Sequence, residues 1–105
     1  MTYRIEYHPE INGDLRQIAL WLVEKVGEDV AEAKLDTIVA GIAYLEHTPH
    51  IGTLRNEIAL GLRAIPIGEN AVVAFTVHED TREVMIFAVT WGGADWMGRS
   101  RRRVR

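Results

Sequence analysis

Two apolar stripes at helical spacing follow each other with almost no chain between them. Ile11, Leu15, Ile18, Leu22 and Val26 recur at intervals of four, three, four and four, and Ala19 and Val23 widen the band. Such spacing places them on one face of a helix. Val30, Ala31, Leu35, Ile38, Val39, Ile42 and Leu45 form the second stripe. Only Gly27-Glu28 separates the two, so the helices are expected to form an antiparallel hairpin. Gly27 suits the left-handed residue that ends a helix. Gly13 weakens the first turn and moves the expected start toward Asn12. Asp29-x-x-Glu32 has the form of a capping box opening the second helix, and Pro49 and Gly52 close it. A hairpin of this kind leaves a broad apolar face to be covered.

Segments with a period of two supply the cover. Tyr3, Ile5 and Tyr7 alternate with Arg4 and Glu6, which predicts a strand that Pro9 stops. After residue 56, Ile58, Leu60 and Leu62 alternate up to Pro66, Gly68-Glu69-Asn70 is turn chemistry, and Val72–Val77 is rich in strand formers. Glu79-Asp80-Thr81 turns the chain again, and the run Val84–Val89 predicts a strand buried on both faces. The predicted order is β-α-α-β-β-β. This is an α+β fold with the hairpin packed on a small, mainly antiparallel four-stranded sheet, ending in a short C-terminal helix or tail. Residues 1–98 are expected to form the domain and 99–105 a basic tail.

The 105 residues suit one domain, and the absence of cysteine leaves no disulfide framework or Cys-based zinc site. The start lacks a cationic, then apolar, leader, and no run approaches the roughly 18 apolar residues of a membrane span. A soluble, cytoplasmic protein without a membrane partner is expected. The charge is uneven. There are 12 basic and 15 acidic residues; without the five terminal arginines (Arg99, Arg101, Arg102, Arg103 and Arg105), 7 basic groups face 15 acidic ones, a formal charge of −8. An acidic body is unsuited to gripping nucleic acid over a broad face.

The order of elements and their residues resemble the RelE/ParE superfamily of toxins from type II toxin–antitoxin modules. The match runs over about residues 3–96: YHPE closing the first strand, DLRQIALWLVE, LEHTPHIGTLRNEIALGLRAIPI leading into a strand with Leu62-Arg63, then AVVAFTV and REVMIFAVTW. The resemblance implies a cognate antitoxin protein that wraps the toxin and represses the shared operon, so operator DNA is met only indirectly. It implies no cofactor. Two activities occur on this fold. RelE-like members cut mRNA in the ribosome and carry an Arg at the start of the third strand, where Val72 stands here, and Arg, His or Tyr after the last strand, where this chain has Trp91-Gly92-Gly93-Ala94. ParE-like members bind DNA gyrase and need no catalytic residues. Their pattern after the last strand is matched here only by Asp95 and Trp96. The reading favoured is therefore a ParE-like, non-enzymatic gyrase inhibitor. The alternatives are a RelE-like ribosome-dependent endoribonuclease and a toxin fold that has lost its activity.

Candidate residues follow from this. Arg63 either meets a target or antitoxin, or pairs with a carboxylate such as Glu6 or Glu57. Trp91, Asp95, Trp96, Arg99, Arg101, Arg102 and Arg103 are target-facing candidates, since a terminal cationic strip beside two indoles suits an acidic partner. A frayed solubilising end and a nucleic-acid hook are its other readings. Trp21 and Tyr44 are either boundary aromatics or anchors under the antitoxin. His47 and His50 sit three apart beside Glu46, but at a helix end, where His suits the dipole better than a metal. No catalytic residue and no metal ligand is assigned.

Overall fold

The computed structural model describes residues 2–104. Strand β1 (Arg4–Tyr7) leads into helix α1 (Ile11–Val26) and helix α2 (Glu28–Tyr44). Strands β2 (Thr53–Leu54), β3 (Arg63–Ile67), β4 (Ala71–His78) and β5 (Glu83–Trp91) follow, and helix α3 (Trp96–Arg103) closes the order. The sheet order is β1-β5-β4-β3-β2. β1 runs parallel to β5, with Ile5 opposite Val84, and the other pairings are antiparallel. The α+β class, the hairpin after the first strand and the meander are as expected.

The sheet has five strands instead of four. The extra one is the two-residue β2, paired to β3 through Thr53↔Ala64 and Leu54↔Arg63, too short to show a period. The expected strand through Ile58, Leu60 and Leu62 does not form. Residues 55–62 instead make a closed loop in which the Arg55 N–H donates to the Leu62 carbonyl at 2.7 Å and the Gly61 N–H to Asn56 Oδ1 at 2.8 Å. Ile58 and Leu62 are buried there while Leu60, at the tip, is 87% exposed. The alternation arose because the loop's two inward residues lie four apart with an exposed leucine between them.

The expected capping box is also absent. Gly27 has φ +85° and serves as C-cap of one helix and N-cap of the next. Its N–H donates to Val23 O, and its carbonyl accepts from the Ala31 N–H. A β-carbon is strained at that φ. With Gly27 shared, α2 starts before Asp29 could cap it. α1 begins at Ile11, a residue earlier than Gly13 suggested, and α2 ends at Tyr44, ahead of Pro49.

The hairpin covers one sheet face. Ile11, Ile18, Leu22, Ile38, Ile42 and Leu45 pack there on Val73, Phe75, Val84, Ile86 and Val89. Helix and sheet meet closely at Gly41, where an added β-carbon would lie 2.6 Å from Ile67. Ala74 alternates to the opposite face, and a β-bulge between the pairs Ala74↔Ala88 and Phe75↔Ile86 turns Ala88 there too; both lie under Ile58, Leu62, Trp96 and Val104. The 55–62 loop and α3 thus form a second, smaller layer.

Candidate functional site

The upper part of β5 organises the most unusual chemistry. β1 pairs with β5 only from Glu83 to Ile86, so the same edge of β5 continues beyond the end of β1. Side chains complete it. The Val89 N–H donates to Asp14 Oδ2 at 3.0 Å, and the Phe87 carbonyl accepts from Arg103 Nη1 at 2.9 Å. Asp14 is only 4% exposed. A buried carboxylate needs partners, and α3 supplies them. Arg103 donates through Nη1 at 2.7 Å and Nη2 at 3.0 Å, a bidentate fork, and Arg99 Nη1 donates at 3.2 Å. Glu10 lies 3.6 Å from Arg103 Nε. The bond to Asp14 is the main cause that raises the Arg103 pKa above its ordinary value.

Asp95 fixes the start of α3 by accepting the Gly98 N–H at 3.0 Å, an N-cap contact. Gly92, at φ +66°, lets the chain leave β5 sharply. The turn and the two helices leave a cleft of about 510 Å³ beside the end of β5. Gln17, Trp21, Asn70, Thr90, Trp91 and Arg99 line it. Thr90 is buried and its Oγ1 has no hydrogen-bond partner among the described residues. Lys34 sits 5.8 Å from the Trp91 ring centroid, a cation–π approach from α2.

The model of the ParE toxin of the type II toxin–antitoxin system parDE matches residues 5–96. The chain belongs to the ParE toxin family. Solved structures agree on the fold. The chromosomal ParDE toxin–antitoxin system from P. aeruginosa is similar at 18% identity and a TM-score of 0.73, over 87% of this chain and 97% of that one. A mutant of E. coli toxin RelE in the free state gives 13% identity and a TM-score of 0.67 over the whole of both chains. The RelBE2 toxin–antitoxin complex from Mycobacterium tuberculosis gives 14% and 0.61, over 87% of this chain and 99% of that one. No curated protein sequence matches the chain.

In this ParE-family toxin the candidate residues divide by location. Trp21 and Trp91, assigned from sequence to different surfaces, share the cleft, and Arg99 lines it too. Tyr44, 58% exposed, ends α2 and is not among the cleft residues. Trp96 is part of the second layer and carries the Arg55 guanidinium 5.2 Å from its ring centroid. Arg101 and Arg102 are exposed. Arg105 lies outside the described residues. Arg63 donates to the His50 carbonyl at 3.3 Å; the carboxylates proposed for it are engaged elsewhere, Glu6 by Arg4 and Glu57 by Arg55. His50 meets Glu79, which also accepts the Tyr3 hydroxyl at 2.6 Å. No metal-like group of three His, Cys, Asp or Glu side chains gathers among the described residues. No helix among them is long and apolar enough to cross a membrane.

Sequence reading missed Asp14. It counted among the hairpin's acids, yet it lies three residues after Ile11 and four before Ile18, inside the apolar stripe. A carboxylate in that register signals a buried partner. Residues 99–103, assigned to the tail, are the second half of the short C-terminal helix α3, and two of their arginines are that partner.

Proposed function

We propose that this toxin acts by binding DNA gyrase, without catalysis of its own, and is neutralised by a cognate antitoxin that also carries it to operator DNA. One observation supports the reading above the others. The terminal arginines nearest to the end of the last strand, Arg99 and Arg103, are engaged by Asp14. Stabilising the transition state of RNA cleavage needs an available cation on the phosphate and a group to take the ribose proton. Here Arg103 is committed to Asp14 in holding a helix in place, Val72 fills the strand position where the ribonucleases carry Arg, and Trp91-Gly92-Gly93-Ala94 offers neither acid nor base.

Target contact then falls to the groups exposed at this end. Arg101 and Arg102 are the foremost, with the half-buried Trp91 next; Arg63, which lies level with Phe75 and Ile86 further down the sheet, is a weaker candidate. Asp95, Trp96, Arg99 and Arg103 support that surface. Trp21 and Tyr44 remain the anchors proposed for the antitoxin, under an interface of about 1,600 Å² or more. The protein works in the cytoplasm in this reading. Inducible expression without antitoxin tests it. Filamentation with SOS induction, and inhibition of supercoiling by purified gyrase, are expected. Cleavage of mRNA on programmed ribosomes would replace this reading with the ribonuclease one.

A further inference from the structure

We propose that the cleft between α1, the end of β5 and α3 receives a large apolar side chain and an adjacent carboxylate from a segment of the antitoxin. This rests on the reading of the chain as a toxin with a protein antitoxin. It adds a specific socket and the chemistry of what fills it.

The cleft is built like a recognition pocket. Thr90 forms part of its wall at 2% exposure, and its hydroxyl has no partner among the described residues. Buried hydroxyls are nearly always hydrogen-bonded, so an unpaired one in the cleft wall leaves a bond for a ligand seated there to complete. Trp21, 48% exposed, and Trp91 give the site its apolar surface. Tryptophans in such settings anchor protein partners. Gln17 and Asn70 add amide donors and acceptors at the rim.

Charge selects among occupants. Among the described residues Arg99 is the one cation lining the cleft, and no carboxylate lines it. Arg103 is held by Asp14 and Glu10, whereas Arg99 makes a single bond of 3.2 Å to Asp14. A guanidinium has five N–H donors, so Arg99 keeps donors for a second acceptor. One cation matches one carboxylate. A nucleic-acid strand would need a track of cations, and the body outside the terminal arginines carries −8. The exposed hairpin acids Glu24, Glu28, Asp29, Glu32 and Asp36 would repel an acidic segment from that side.

The full chain, labelled with ¹⁵N, is titrated with phenylacetate, an aromatic ring bearing one carboxylate. The expected result is saturable movement of the Trp21 and Trp91 indole signals and of the Thr90 amide. Thr90→Val should weaken binding about 5-fold, the loss of one neutral hydrogen bond, while leaving unfolding unchanged or shifting it to higher denaturant. Arg99→Gln should weaken it about 10-fold, with the Arg103 fork still holding Asp14. Phenylacetamide binding equally well would overturn the carboxylate. Tighter binding of adenosine monophosphate would overturn the protein partner in favour of nucleic acid. No movement with any probe would overturn the site. The cognate antitoxin then tests the source. Thr90→Val should lower its affinity about 5-fold as well, and an unchanged affinity would overturn the antitoxin as occupant. A chain that binds phenylacetate but does not arrest growth would keep the socket's chemistry and remove the toxin reading on which its occupant rests.

Discussion

One edge of β5 is finished in two ways. From Glu83 to Ile86 it is paired with β1, backbone to backbone. From Phe87 to Val89 it is met by the side chains of Asp14 and Arg103, from helices at opposite ends of the chain. Backbone pairing distributes the work over several residues, each replaceable by another that tolerates a strand. Side-chain completion concentrates it on two residues. One of them is a buried anion, and removing either partner of such a pair leaves a charge that water cannot reach. Two halves of one edge should therefore respond very differently to mutation.

The largest effect should come from removing residues 99–105. Truncation takes both cations from Asp14 and strips Val104 from the second layer, and the shortened chain is expected to lose more than the roughly 3–5 kcal/mol typical of breaking a buried pair. Chemical denaturation checks this; a stable, cooperatively unfolding truncation would show that α3 is dispensable. Next, Asp14→Ala should cost about 3–5 kcal/mol, because the Val89 N–H and two guanidinium groups lose their acceptor together. A double-mutant cycle with Arg103→Ala should show coupling of at least about 1 kcal/mol. Additive losses would mean that the fork contributes little. In the strand-paired half, Ile5→Ala removes a side chain packed on the main core but only partly buried, and should cost no more than about 2 kcal/mol. If it equalled Asp14→Ala, the contrast between the halves would fail.

The smallest effect is a pH dependence. The strand-paired half carries its charges in the open. Glu83 is held below its ordinary value of 4.5, first by the Thr81 hydrogen bond and then by Arg4. Glu79 is lowered first by the Tyr3 hydroxyl and then by His50. A carboxylate whose folded value is depressed adds stability that is fully present above its unfolded value and is lost as pH falls through the folded one. Stability should thus decline only below about pH 4.5, and weakly, since exposed pairs count for little. Arg4→Ala should remove part of Glu83's share of that decline, leaving the part due to Thr81. An unchanged acid limb would place the titration elsewhere.

The hairpin and the meander were legible because local periodicity wrote them. Ile18, Leu22, Ile38 and Ile42 had to share a covered face, and the Val84–Val89 run had to sit inside the sheet. The 55–62 loop was misread because two inward residues and an exposed leucine imitate alternation. The shared Gly27 overrode a capping box that looked sufficient on its own. At the candidate site, Trp21, Trp91 and Arg99 were each singled out, but their meeting in one cleft depends on contacts between α1 and the far end of the chain. No local pattern encodes that. Asp14 left a trace only as a charge in an apolar register, and the buried role of Arg99 and Arg103 was hidden by their resemblance to a solvated basic tail.

The ties to Asp14 also bear on synthesis. Arg99 and Arg103 reach it across 85 and 89 residues of chain, and β1 must wait for β5 before it has a partner. While the last segment is still inside the ribosome's exit tunnel, the first strand has no neighbour and the aspartate no counter-ion. Contacts so far apart in sequence close slowly. The nascent chain therefore holds a nearly formed hairpin beside an unfinished sheet until translation ends, so the native surface at the C-terminal end assembles only after release. A polypeptide cut short by a premature stop within α3 would remain in that unfinished state and be open to proteolysis.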